Sequence, residues 1–228
     1  MSGAVTSSVS LRGWLNAVFN VRCPLCGARL QHEVSFCELC GSGEQTVVLD
    51  GVLCLGPYGG RLAETVKELK FRGRRAFGRP LGVALAGGMR RLNWTADVIV
   101  PVPLHWTRRL SRGFNQSLLI AEGIGNGAQI PVKPWLFRVR RTAHQVKLGR
   151  EQRLANLKGA FRGLPDVAGL HVLLVDDVVT TSATVKECSL ALLAAGAKRV
   201  TVVAVAVTSR DRRAVRRPGV REAEVTRR

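Results

Sequence analysis

The stretch His171-Val-Leu-Leu-Val-Asp-Asp-Val-Val-Thr-Thr-Ser-Ala-Thr184 decides the fold of this chain. Its apolar run, His171 to Val175, predicts a buried strand. Two adjacent carboxylates, Asp176 and Asp177, end that run. Val178 and Val179 lead into a loop of small and hydroxyl residues: Thr180, Thr181, Ser182, Ala183 and Thr184. An apolar helical pattern then runs from Val185 to Ala195, with Gly196 as its stop. In an open α/β sheet, ligands bind outside the carboxyl ends of the strands, where Asp176 and Asp177 are expected to stand. Carboxylates accept hydrogen bonds from vicinal sugar hydroxyls. Loop amides, Thr hydroxyls and a helix N-terminus donate to phosphate. Neighbouring carboxylates repel each other, so hydroxyl donors, a cation or open solvent must offset the cost. A solvated Asp pair before an N-capped helix is the plain alternative. The pair combined with Thr180, Thr181 and Thr184 favours a ribose-phosphate site over it.

Outward from this stretch the chain alternates strands and helices. Arg199 to Val207 is a near-continuous apolar strand, and Asp97-Val-Ile-Val100 is another that stops at Pro101-Val-Pro103. Val47 to Leu55 is β-rich and broken at Asp50-Gly51, a hairpin signal. Helices are expected over Leu11–Val21, Arg61–Leu69, Ala76–Leu92 and Phe114–Ile124, with Asn115 and Gln116 as capping residues. Leu136 to Ala160 is basic and weakly periodic, and suits a mobile loop followed by a short helix. The alternation predicts an α/β fold with a mostly parallel sheet flanked by helices.

Four of the six cysteines form Cys23-Pro-Leu-Cys26 and Cys37-Glu-Leu-Cys40. Each pair is followed by a glycine, Gly27 or Gly41, as a tight turn with φ > 0 or open amides requires. Two such turns close a tetrahedron of thiolates around a structural zinc ion. A redox Cys-x-x-Cys would need only one pair, beside a βαβ unit. His32 lies between the pairs and reads as a surface residue. Cys54 and Cys188 read as buried, small apolar residues. The organisation expected is a helix and cysteine module over 1–45, an α/β domain over 46–208, and an Arg-rich tail over 209–228 without apolar periodicity.

The chain has 228 residues, 46% of them hydrophobic, enough for a core. Net charge is +19, from 35 Lys+Arg against 16 Asp+Glu, which points to anionic partners such as nucleic acid or phosphorylated metabolites. No apolar run approaches the roughly 18–20 residues of a membrane span. Arg12, Asn16 and Asn20 interrupt the one stretch that resembles a secretory signal, so the expected compartment is the cytoplasm.

The Asp176–Thr184 motif resembles the diphosphate-sugar signature of type I phosphoribosyltransferases. Further motifs resemble one branch, the ComF family of amidophosphoribosyltransferase-like competence proteins. They are Asp97-Val-Ile-Val-Pro-Val-Pro-Leu-His105, Arg112-Gly-Phe-Asn-Gln116, Arg140-Arg141-Thr142 with Gln145, Arg153 and Asn156, and Gly159-Ala-Phe161. Leu69-Lys-Phe71, Arg72-Gly73, Trp14 and the cysteine pairs belong to the same pattern. The resemblance implies that Asp176 and Asp177 hold the ribose 2′- and 3′-hydroxyls of 5-phosphoribosyl-1-pyrophosphate (PRPP). Val178 to Thr184 would wrap its 5′-phosphate. Val102 and Pro103, with Arg108, Arg109 and Arg112, would face the pyrophosphate. Arg140, Arg141 and Arg153 would lie on a flap, and Mg²⁺ would accompany PRPP. His105 and His144 read as surface or structural. The resemblance implies a role in natural transformation, with single-stranded DNA and a helicase or recombination mediator as partners. Basic stretches interleaved with aromatics, Lys67–Arg79 with Phe71 and Phe77 and Arg108–Arg112 beside Trp106 and Phe114, suit the DNA role. The alternative is an active Mg²⁺-dependent phosphoribosyltransferase with an unknown acceptor. One departure stands out: Ser182 occupies a position that is usually glycine. If its φ is positive, it costs roughly 1–2 kcal/mol relative to glycine.

Overall fold

The computed structural model describes residues 23–28, 36–71, 74–104, 113–140, 157–180 and 182–208. Outside them lie the helix expected over Leu11–Val21, His32, Arg72 and Gly73. So do His105, Trp106, Arg108, Arg109 and Arg112, and also Arg141, Thr142, His144, Gln145, Arg153, Asn156, Thr181 and the tail from Ser209.

β6 (His171–Val179) and β7 (Arg199–Val207) form the centre of a five-stranded sheet. They run parallel over almost their whole length. β3 (Val98–Pro101) lies parallel on the far side of β6, and β2 (Val52–Cys54) parallel on the far side of β7. β1 (Val47–Leu49) closes the order β1-β2-β7-β6-β3 by pairing antiparallel with β2. Its turn has φ 50° at Asp50 and 77° at Gly51, the positive pair that a tight hairpin needs. A strand buried on both faces needs apolar residues at every position, and this explains the unbroken runs in β6 and β7. Leu173, Val175, Val203 and Val205 enter one core, while Val172, Leu174, Val200 and Ala204 enter the other.

Helices α2 (Gly60–Phe71), α3 (Gly78–Arg91) and α4 (Gln116–Ala128) contribute to the first core. α3 and α4 approach backbone to backbone: a methyl on Gly82 would strike the Ile120 carbonyl, and one on Gly123 the Arg79 carbonyl. The cysteine segment joins this core rather than forming its own. Cys23, Phe36 and Cys40 are buried in one cluster with Leu81, Leu85 and Met89. Short α1 (Glu38–Gly41) leads to a close contact of Ser42 with Gly87 of α3. The second core lies under α5 (Ala183–Ala194) and a two-stranded ribbon of β4 (Leu136–Arg138) and β5 (Phe161–Gly163).

That ribbon corrects the loop expectation at Leu136–Arg138; residues 141–156 of the expected loop and short helix lie outside the described residues. Leu136 pairs with Gly163 and Arg138 with Phe161, antiparallel. Three residues per strand are too few to display a period of two, and Arg138 and Arg162 hid the buried Leu136 and Phe161. Pro101, expected to stop its strand, belongs to β3. β3 is the last strand in the order, where a missing donor costs little. The helices expected over Arg61–Leu69, Ala76–Leu92, Phe114–Ile124 and Val185–Ala195 appear, with shifted ends. α3 follows a single 3₁₀ turn at Arg75–Phe77, and α4 begins at Gln116 and runs on to Ala128.

Candidate functional site

β3 ends opposite Val175, but β6 continues against β7 through the pairs Asp176–Ala204, Val178–Ala206 and Val179–Val207. Asp176 and Asp177 therefore lie inside a strand, just past the end of its neighbour, and not at the strand's own end as expected. Successive residues of a strand face opposite ways, so the two carboxylates find different partners. Asp177 meets α2, where Lys70 Nζ stands 2.7 Å from its Oδ1; the two side chains are 21% and 13% exposed. Asp176 Oδ1 accepts from Ser117 Oγ at 3.0 Å and from the Asp177 backbone N–H at 2.8 Å. Burial, then the charge of Asp177, raises the Asp176 pKa to about 7 despite these donors and Lys70. Donors arriving from a ligand would favour its ionised form.

The loop beyond is bound to the sheet by Thr208, whose N–H donates to the Val179 carbonyl at 2.8 Å. Thr180 is exposed. Ser182 stands before α5 with φ 57° and ψ −3°, the left-handed conformation, and its side chain caps nothing. Asp176, Val178, Val179, Thr180, Ser182, Ala183 and Thr184 line one small concavity with Val185. A carboxylate, hydroxyls and uncapped helix amides thus converge.

Val102 follows β3 and is held from two sides. Its N–H donates to the Val175 carbonyl at 2.9 Å, and its carbonyl accepts from Asn115 Nδ2 at 3.1 Å. Asn115 Oδ1 also accepts from the Ser117 N–H at 3.0 Å, the expected helix cap. One side chain thereby fixes the turn after β3 to the start of α4, which also carries the donor to Asp176. Gln116 is buried at 1% exposure, and its side-chain nitrogen has no partner among the described residues. Pro103 is half-buried beyond Val102. Arg140 is exposed past the end of β4 and donates to the Lys158 carbonyl at 3.3 Å.

The four cysteine sulfurs of the paired motifs lie within 4.8 Å of one another. The two turns match: the Gly27 N–H donates to the Cys23 carbonyl and the Gly41 N–H to the Cys37 carbonyl, each at 2.8 Å. Gly27 has φ 83°, whereas Gly41 closes α1 and needs no left-handed backbone. A sulfur set this close suits a metal ion. Cys54 and Cys188 are fully buried, and burial pushes their thiols up, Cys54 to about 12.

A larger groove of about 590 Å³ lies between the ribbon and the end of α5; among the described residues, Arg162 is its one charged lining residue. No described helix is long and apolar enough to cross a membrane. Lys70 and Ser117 escaped the sequence reading as partners of the acid pair. Ser117 lies 59 residues from Asp176, too far for any local pattern.

Comparison with characterised proteins agrees with this geometry. The phosphoribosyl transferase domain model matches residues 85–223. DNA utilization protein YhgH of Salmonella typhimurium is 34% identical over 206 residues, covering 79% of this chain and 87% of that one. Competence protein F of Haemophilus influenzae is 30% identical over 189 residues, covering 79% and 82%. Competence protein ComFC of Bacillus subtilis is 28% identical over 193 residues, covering 82% and 78%.

Proposed function

This chain belongs to the phosphoribosyltransferase family, alongside its ComF-type competence and DNA-utilization members, and we propose that it binds PRPP or a related ribose phosphate at Asp176–Thr184 in support of DNA uptake. The observation that carries the reading is convergence. Asp176 and the hydroxyl-bearing loop share one concavity at the carboxyl end of a parallel sheet. In this reading the carboxylates of Asp176 and Asp177 accept from the ribose 2′- and 3′-hydroxyls. Amides from Val178 to Thr184, with the hydroxyls of Thr180, Thr181 and Thr184, donate to the 5′-phosphate. Val102 and Pro103 face the pyrophosphate together with Arg108, Arg109 and Arg112. Arg140, Arg141 and Arg153 cover the site.

Carboxylate oxygens beside a diphosphate suit a hard cation, and Mg²⁺ when bound would supply neutralising charge to the leaving group. The cysteine set is read as a structural zinc site, because sulfurs within 4.8 Å of one another match its preferred ligand type. Isothermal titration of PRPP with Mg²⁺ tests the main reading. Binding by the wild type, lost in Asp176→Asn/Asp177→Asn, is expected; no heat from the wild type would overturn it.

The DNA side of the reading rests on charge and on exposed chemistry near the site. Lys67, Arg74, Arg75 and Arg79 are exposed, and Phe71 is 71% exposed at the end of α2. Such a surface suits the backbone and bases of single-stranded DNA on the cytoplasmic side, handed on by a helicase or recombination mediator. Filter binding at several salt concentrations should show affinity falling steeply with salt; a flat dependence would exclude phosphate contacts. An active transfer is the second reading, favoured by the match of residues 85–223 to the phosphoribosyl transferase domain. The C1–O bond to pyrophosphate would break with its electron pair leaving on pyrophosphate, while an acceptor lone pair bonds C1. Release of pyrophosphate from PRPP with candidate acceptors measures it.

A further inference from the structure

Two carboxylates side by side need compensation, and the structure gives each a different kind. Asp176 receives neutral donors, from Ser117 and a backbone amide. Asp177 receives a full positive charge from Lys70 at 2.7 Å. Lys70 is carried by α2, which lies before residues 85–223, the segment matched by the phosphoribosyl transferase domain. Its neighbours Val66 and Leu69 are wholly buried, so its side chain starts from an anchored base. Both partners are mostly shielded, unlike the exposed pairs whose contribution is near zero.

We infer that Lys70 is a positioning residue of the ribose site, which holds and aims Asp177 so that both carboxylates can accept ribose hydroxyls. The inference rests on the ribose-phosphate reading above. An ionised carboxylate offers about four acceptor positions, so one bond to Lys70 leaves others for a ligand. The ammonium also offsets the repulsion that PRPP, a polyanion, meets at an acid pair.

Among the described residues, the other groups facing the pair carry no positive charge to it. α4 contributes the uncharged Ser117. α5 brings the Cys188 thiol, which Asp176 helps to keep protonated. β7 presents Ala204 and Ala206, and the nearby end of β3 is Pro101. Among the described residues, Lys70 is the cation bonded to the pair.

The test uses Lys70→Met and Lys70→Arg in the full chain. Titration of PRPP with Mg²⁺ between pH 6.5 and 8.5 should show Lys70→Met at least about tenfold weaker near neutrality, the value of a single charge-assisted bond. The loss should shrink as pH rises and Asp176, which the Lys70 charge helps to ionise, loses its proton without that help. Lys70→Arg should restore most of the affinity, and in an Asp177→Asn background Lys70→Met should cost little more. Thermal unfolding without ligand gives an independent readout. Lys70→Met should lose more stability than wild type between pH 6 and 8.5, and the two should converge in acid. Wild-type binding matched by Lys70→Met at every pH, or parallel unfolding curves, overturns this inference alone. A wild type that takes up no PRPP overturns the ribose-phosphate reading and this inference with it.

Discussion

Inside β6, just past the end of β3, two carboxylates stand in adjacent positions, and beyond the strand Ser182 holds a left-handed backbone. At the other region rich in polar chemistry, four sulfurs lie within 4.8 Å of one another above a base of buried Cys23 and Cys40. Both regions bring like polar groups close together. They differ in how the surrounding fold treats them. The cysteine turns follow the backbone's own preferences, with a glycine at the positive φ and matching amide bonds, and they pack into the main core. The acid end breaks local preferences twice, once in charge and once in backbone. The first region thus follows local preferences and the second is held at a cost, as a region kept for the proposed ligand would be.

If that contrast is right, the largest stability loss comes from the cysteines. Cys40→Ser should lower unfolding free energy by several kcal/mol, on the scale of a lost structural metal, and a chelator should do the same to the wild type. Circular dichroism melts with metal analysis measure this; an unchanged melt would place the metal site outside the fold's support.

The next largest effect belongs to ligand binding. Asp176→Asn/Asp177→Asn removes two charge-assisted acceptors and should weaken PRPP about 100-fold, or about 3 kcal/mol. The same substitutions should not unfold the chain. A parallel loss of both binding and folding would erase the distinction between the two regions.

The third effect is one of pH and has a definite sign. Asp176 is raised from 3.8 to about 7, so the folded state holds its proton more tightly than the unfolded state. Its favourable contribution is complete below the unfolded value and is lost as pH rises through the folded one. Stability should therefore fall between about pH 4 and pH 7 on this account. Asp176→Asn should flatten that fall and, at pH 8, stabilise the free protein by on the order of 1 kcal/mol. A melting series across pH for both proteins decides it, and identical slopes would refute the assignment.

The smallest effect comes from Ser182. Ser182→Gly should relieve the left-handed backbone and gain about 1 kcal/mol in stability. PRPP affinity should hold or improve. A loss of affinity with a gain in stability would show that the Ser182 hydroxyl donates to the ligand.

Much of this was readable before any coordinates. The strand, acid pair, hydroxyl loop and helix lie within His171–Ala194, and the two cysteine turns are each complete in a few residues. The strain at Ser182 was foreshadowed only by the resemblance, whose signature usually has glycine at that position. The ribbon was not readable, because its strands Leu136–Arg138 and Phe161–Gly163 are too short to show a period. Nor was the length of β6: only pairing with β7 carries the strand past Val175, and no apolar residue marks that continuation at Asp176 or Asp177.

Residue order alone thus determined the local structure of these motifs, since periodicity, capping and turn geometry act over a few neighbouring residues. Tertiary structure decided which groups compensate one another. Asp176 meets Ser117, 59 residues earlier in the chain, and Asp177 meets Lys70 on α2. Those pairings depend on how helices dock on a sheet. That docking is set by buried surfaces such as the glycine contact between α3 and α4, rather than by any property of the acidic residues themselves.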